Sequence, residues 1–432
     1  MPVCRARRRG VSFAAVPTSS TPEIRPVRDD ELAAWFGAFA TAFYIWHNAE
    51  PRAMAEARRP MLDLDRAIGA FEGETIVGTF RTFASELTLP GGRLVPVNAV
   101  SGVSVRPTHR RRGILSSMNA DDVRRTTERG DAASILISAE WPIYGRFGYG
   151  PATWAARWTV RTRAARFLVE PTGSVEMVDL ETARALLPEI YDRHRRSQPG
   201  EIRRDDVRWE FDLGLREFPG RPRWFGEVAI HRAVDGTPDG YARYHGQEQW
   251  EEGIPDNLLI LDELLASNPE ADLALWAFLS NVDLTATIQA DTRRPREPWV
   301  WQLADARAAR QSHLGEMLWV RVIDVPRILA NRAYDRTADM VLEVVDEVAG
   351  QPGPAAGRYR LEASADGAEC RTTDAPPDIT LGVAQLSAAV LGGTRLVDAA
   401  RARPPVEHRA GTLAALDALL RTPDEPWCAT WF

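Results

Sequence analysis

The segment Val103-Ser104-Val105-Arg106-Pro107-Thr108-His109-Arg110-Arg111-Arg112-Gly113-Ile114-Leu115 decides how the rest of the chain is read. Val100, Val103 and Val105 are β-branched and predict a strand. Pro107 ends it, because proline has no amide to give the ladder and restricts the residue before it. A basic turn follows, then Gly113, then a helical pattern from Ile114 to about Arg129. The first amides of a helix lack intrahelical partners, and the macrodipole makes that end positive. Gly113 lets a ligand approach the backbone closely. Arg110, Arg111 and Arg112 add charges that match phosphate oxygens, so the turn suits a pyrophosphate. The alternative is a solvated basic loop or a nucleic-acid patch. Nucleic acid is disfavoured by a formal net charge of −7, a pI of about 5.7 and the lack of a second long basic stripe.

A second stretch, Ile143-Tyr144-Gly145-Arg146-Phe147-Gly148-Tyr149-Gly150-Pro151-Ala152-Thr153, agrees with the first. Arg110-Arg111-Arg112-Gly113 after a β-branched strand resembles the Arg-Arg-x-Gly turn with which GNAT N-acetyltransferases hold coenzyme A. With the second stretch, the sequence looks like the enhanced intracellular survival (Eis) family of that superfamily, over most of its length and most strongly from about Val97 to Thr153.

The resemblance implies a mixed α+β chain. Two tandem GNAT-like domains, each a twisted mixed sheet with flanking helices, precede a sterol-carrier-protein-like α+β domain. The expected ranges are a disordered tail over 1–22, a catalytic domain over 23–163, a second GNAT-like domain without a cofactor motif over 164–316, and the last domain over 317–432. Length alone already asks for two or three cores. No apolar run approaches the length of a membrane span. Cys4, Cys370 and Cys428 are too far apart for a disulfide framework or a metal site, and the histidines show no metal-ligand spacing; a reducing cytoplasm and no metal are expected.

Along the chain, Ile24–Val27 is an expected strand, and Asp29 or Asp30 would cap a helix whose Leu32, Trp35, Phe36 and Phe39 share one face. The aromatic piece Phe43 to Asn48 reads equally well as an acceptor-pocket wall or as core. Ala67–Phe71 and Thr75–Leu87 are strands around Glu72-Gly73-Glu74, and Pro90-Gly91-Gly92 turns into the Val95–Val105 strand. Ser134–Ile137 is a buried parallel strand. Further on, Leu180–Arg193 is helical with Pro188 expected to kink or shorten it. Leu258–Leu265 and the helix Ala271–Asn281 loosely repeat the order of the first domain; Arg203-Arg204 and Arg293-Arg294 lack the glycine. Leu318–Ile323 is a strand taken to open the third unit, whose role is read as structural rather than lipid-binding.

By the resemblance the strand before the turn and the strand Ser134–Ile137 splay, and the acyl arm of acetyl-CoA lies between them. The expected cofactor set is Val103, Ser104 and Val105, the run Arg110, Arg111, Arg112, Gly113, Ile114, Leu115 and Ser116, and Ala139 with Glu140 at the mouth of the gap. Strand opening is expected at Ser104. Tyr144, a phenol protonated at neutral pH, is the expected general acid by the family motif. The family ends in an aromatic residue whose terminal carboxylate enters the first domain as general base, which here is Phe432. The apolar ending Trp427-Cys428-Ala429-Thr430-Trp431-Phe432 is better explained by burial than by solvent.

Two departures stand out. The family has a serine and then Glu-Gly-Gly before Ile-Tyr, where this chain has Ala139-Glu140-Trp141-Pro142. The family's acceptor-pocket acid after the first helix has no match unless Glu50 serves. The expected activity is acetyl-CoA-dependent acetylation of primary amines, either aminoglycoside-like or polyamine small molecules or lysine side chains, with cationic acceptors favoured by the net charge. The resemblance implies a homohexamer. The competing readings are a non-catalytic acyl-CoA-binding or sensing protein and, more weakly, a lipid carrier. No nucleic-acid or membrane partner is expected.

Overall fold

The longest hairpin pairs Thr75–Thr88 with Leu94–Val105, joined where Gly91 and Gly92 take left-handed φ values of +91° and +80°. In the computed structural model, which describes residues 21–45, 50–220 and 222–432, this hairpin is the centre of a seven-stranded sheet. The order is Glu23–Pro26, Ala67–Glu72, Thr75–Thr88, Leu94–Val105, Ala133–Ile137, Leu318–Val322, Gly150–Pro151. Residues 1–20 of the expected tail, and Trp46, His47 and Asn48 of the aromatic piece, lie outside the described residues.

A second seven-stranded sheet runs Ala309–Glu316, Trp154–Arg161, Thr285–Arg293, Asn257–Ala266, Pro238–Gln247, Glu227–Arg232, Ser174–Val178. A five-stranded sheet follows, from Gly367–Thr372 through Gly357–Ser364, Ala338–Val345 and Ile379–Gly382 to Val406–Glu407. Each of the two large sheets holds one parallel pair bridged by a helix: Ile114–Glu128 in the first and Pro269–Ser280 in the second.

Two strands cross between units. Trp154–Arg161, expected in the first, pairs with Thr285–Arg293 and Ala309–Glu316 in the second sheet. Leu318–Val322, expected to open the third, pairs with Ala133–Ile137 and Gly150–Pro151 in the first. Every residue of Leu318–Val322 is buried, including Arg321, whose guanidinium meets Asp346 of the third unit at 3.0 Å. One apolar core therefore runs from Val97 and Ile135 through Leu318 and Val320 to Leu342 and Leu386. Leu318–Val322 is paired along both edges and buried on both faces, so the units are joined by core rather than by linkers.

Local chemistry departs from expectation at two helices. Asp29 and Asp30 do not cap the first helix; they lie in a short 3-10 turn, Asp29–Glu31, where Glu31 accepts from the Arg28 amide at 2.9 Å and from Arg25. The helix Leu32–Ala42 then buries Trp35 and Phe36, with the Trp35 indole donating to Ile68 O at 2.9 Å. Leu180–Ser197 runs through Pro188 without stopping. Asp179 caps it through the Thr182 amide, and buried Leu187, Ile190 and Tyr191 hold both halves against the sheet.

Candidate active site

The cradle begins with a bulge. Thr79 faces Ser104 and Arg81 faces Ser101, so Gly102 and Val103 together oppose one residue. Gly102 has φ +62°, and the Thr79 hydroxyl bonds both its carbonyl (2.8 Å) and the Ser104 hydroxyl (2.7 Å). The opening thus centres on Gly102–Val103 rather than on Ser104. On the other edge, the parallel ladder with Ala133–Ile137 ends at Val100 and Leu136, and beyond it the strands part. The Arg106 amide donates to Val77 O on the hairpin side. Strand amides alternate, so those of Val105 and Val103 face the gap.

The basic turn continues the same wall. Arg111 takes φ +64°, uncommon for a side-chain-bearing residue, and Gly113 takes φ +78° as the N-cap of Ile114–Glu128. No side chain caps this helix, and no acidic residue sits in its first turn. The amides of Ile114, Leu115 and Ser116 are open to an anion. A Cβ built on Gly113 would meet nothing within 4 Å, so the approach is clear.

Of the expected cofactor residues, Val103, Ser104, Val105, Arg110, Arg111, Gly113, Ile114, Leu115, Ser116, Ala139 and Glu140 line one cavity of about 2150 Å³. Arg112 does not. Its guanidinium turns back to Glu72 at 3.1 Å, beside His109 at 3.0 Å. His109 first, and Arg112 with it, hold the Glu72 carboxyl below its usual range. In this structure Arg112 thus braces the turn from outside the cavity lining. Arg110 reaches Glu140 at 3.9 Å across the mouth of the gap.

Tyr144 and Phe432 line this same cavity. Tyr144 ends the short helix Trp141–Tyr144, packs its ring 5.8 Å from Tyr149, and has its pKa pushed up to about 12 by burial and then by the negative Glu140. Its hydroxyl stays protonated through the neutral range. Phe432 arrives from the third unit. Its ring stands edge-on to Phe83 at 5.4 Å.

The anchorage of the tail was not legible in the sequence. Glu201, fully buried, accepts from the Ala429 amide (2.7 Å) and the Thr430 hydroxyl (2.7 Å). Arg204 Nε donates to the same hydroxyl at 2.9 Å, and Arg208 bonds Trp431 O. Upstream, the Trp427 amide donates to Pro199 O at 2.9 Å. Buried charge-assisted bonds of this kind are costly to break, so the tail end is fixed at the cavity wall. Glu50 does not join the cavity; it caps the helix Pro51–Arg58 through the Arg52 amide at 3.1 Å.

Among the described residues no cluster of metal-ligand side chains exists, and no helix is long and apolar enough to cross a membrane.

Comparison with known proteins agrees with this geometry. Residues 23–152 and 200–322 each match the acetyltransferase (GNAT) domain family, and 325–429 match the sterol carrier protein domain family. An uncharacterized N-acetyltransferase of Streptomyces griseus is 40% identical over 421 residues, covering 95% of this chain and 99% of that protein. The N-acetyltransferase Eis of Mycobacterium tuberculosis is 33% identical over 413 residues, 92% of each chain. The crystal structure of Eis1 from Mycobacterium abscessus superposes with a TM-score of 0.82 at 30% identity, covering 95% of this chain and all of that one. Two GNAT domains, one with an open basic turn, and a sterol-carrier-like domain whose tail returns to it make this chain a member of the Eis family of GNAT N-acetyltransferases.

Proposed function

We propose that the first unit transfers the acetyl group of acetyl-CoA directly to a primary amine, on a small molecule of the aminoglycoside or polyamine kind or on a lysine side chain. The observation that carries this reading is that Tyr144 and Phe432, from the first unit and from the end of the chain, line one cavity with the basic turn. The turn and the open helix end bind the pyrophosphate. The amides of Val103 and Val105 hold the pantetheine arm or the thioester carbonyl, where negative charge develops. The Phe432 carboxylate takes a proton from the incoming ammonium, and the freed nitrogen forms the C–N bond at the carbonyl carbon. Tyr144 gives its proton to the leaving sulfur as the C–S bond breaks, and the phenolate then takes up the second proton that the new amide nitrogen loses. A homohexamer in the cytoplasm goes with this reading, by family resemblance and cysteine usage.

The test is CoA release from acetyl-CoA with aminoglycosides, polyamines and a lysine peptide, for the native chain beside one extended by a few residues after Phe432. The expected result is normal acetyl-CoA binding and collapsed turnover in the extended form. Equal turnover in both would remove Phe432 from the mechanism. Binding without turnover on any amine would favour the acyl-CoA-sensing alternative.

A further inference from the structure

We propose that the acceptor carries an anionic group, a carboxylate or a phosphate, beside its amine, and that Arg81 binds that group. The proposal rests on the acetyl-transfer step above but departs from its polycationic acceptors, since aminoglycosides and polyamines carry no such anion.

The chain is acidic overall, with a net charge of −7, but its cavity is not: twelve arginines line it against five acidic side chains and the terminal carboxylate of Phe432. Arg110 and Arg111 belong to the cofactor side, and Arg146 and Arg203 are exposed. Of the others, several are neutralised by neighbours. Glu263 pairs with Arg204 at 2.5 Å and lies 3.6 Å from Arg243, Asp212 pairs with Arg208 at 2.7 Å, and Glu210 pairs with Arg216 at 2.5 Å.

Arg81 differs. Among the described residues its guanidinium has neither a hydrogen bond nor an ion pair, and its one recorded contact is the face of Phe83 at 5.4 Å. It is half-buried, and desolvation weakens its hold on the proton. The carboxylate that acts on it from a distance is Asp205, which is occupied in capping the helix Asp206–Asp212 through the Arg208 amide at 2.7 Å. A guanidinium taken partly out of water without a partner is unfavourable until a carboxylate or phosphate supplies one.

Its position suits an acceptor. Arg81 faces Ser101 in the ladder, next to the bulge whose amides face the acyl gap, and its Cβ lies 3.7 Å from where a Cβ on Gly102 would stand. Two residues along the same face, Phe83 meets Phe432. In an amino-acid-like acceptor the amine is two bonds from the carboxyl carbon. An anion anchored at Arg81 keeps such an amine near the stretch of wall that runs from the bulge to Phe83, the residue that meets the chain terminus. Phe39, Phe43, Phe211 and Trp224 on the same cavity walls suit an apolar or aromatic body.

The test titrates the full chain, in the presence of CoA, with two matched pairs by calorimetry: phenylalanine against phenethylamine, and phosphoethanolamine against ethanolamine. CoA release is measured for the same four amines with acetyl-CoA. The anionic member of at least one pair is expected to bind about tenfold tighter or better, as charge-assisted bonds to a half-buried guanidinium provide. The pair that discriminates identifies carboxylate or phosphate. Arg81→Gln should bring that pair toward equality, and Arg81→Lys should keep most of the difference. Equal binding within both pairs, or discrimination unchanged in Arg81→Gln, would overturn the proposal. So would an Arg81→Gln variant whose turnover falls equally on all amines with the preference intact, since Arg81 would then be serving the Phe432 carboxylate. Discrimination in binding with no CoA release from any amine would sink acetyl transfer and leave the anion site standing. CoA release without discrimination would do the reverse.

Discussion

The two GNAT sheets contain the same device, a parallel strand pair bridged by a helix, and only one of them leaves it open. In the first, Leu94–Val105 and Ala133–Ile137 part after Val100 and Leu136, and the helix starts at an uncapped Gly113 behind arginines. In the second, Asn257–Ala266 and Thr285–Arg293 part after Leu261 and Ala290. There the Arg293 guanidinium fills the gap, bonding Leu264 O and pairing with Glu297 at 2.7 Å. The helix end is closed as well: Asn268 caps the Ala271 amide at 2.8 Å, and Glu270 and Asp272 occupy the first turn. Three side chains and a buried ion pair convert an anion-binding fold element into a structural one.

The largest effect expected from this comparison is on stability. Arg293 and Glu297 are both buried, so Glu297→Ala leaves the cation only the longer pair to Asp272 at 3.6 Å and should cost about 3 kcal/mol, read as a lowered thermal midpoint. A variant of unchanged stability would mean that the gap tolerates being empty. Next comes the open site. Arg110→Ala with Arg111→Ala should weaken acetyl-CoA binding on the order of tenfold per residue, the lower end for charge-assisted bonds because both side chains are solvated, with the midpoint unmoved.

A smaller, pH-dependent effect lies under the open helix. Asp122 is fully buried against the Asn98 amide (3.1 Å), and burial lifts its pKa from 3.8 to about 7. The folded state then holds a proton that the unfolded chain has released, so stability falls as pH rises between those values. Asp122→Asn should flatten that slope in thermal melts across the range; an unchanged slope would exonerate Asp122. The smallest effect is Arg112→Ala. Its partner Glu72 is solvent-facing, and a surface pair of this kind is worth ~1 kcal/mol or less, so acetyl-CoA affinity should move by a few-fold at most. A loss as large as that of Arg111→Ala would return Arg112 to the phosphate site.

Local pattern carried much of this and tertiary partners the rest. The hairpin, the basic turn and the helix after it follow from β-branching, Pro107 and a helical period, and the helix ends at Gly130, φ +73°, as a left-handed C-terminal residue predicts. Arg112 looked like its two neighbours because charge type says nothing of where a side chain turns, and Glu72 comes from another strand. Leu318–Val322 reads as a strand, but periodicity identifies faces and not neighbours, so its place in the first sheet was hidden. Glu201 has no local signature; its partners, Ala429 and Thr430, are at the far end of the chain. The Arg293-Arg294 pair lacks the glycine of the first unit's turn, while its plug role required knowing where Leu264 and Glu297 stand.

The most direct test of the account is the stoichiometry of acetyl-CoA binding to the full chain by calorimetry. One molecule per chain is the predicted result, bound at the first unit's open turn. Two per chain would contradict the claim that Arg293 and the Asn268 cap close the second.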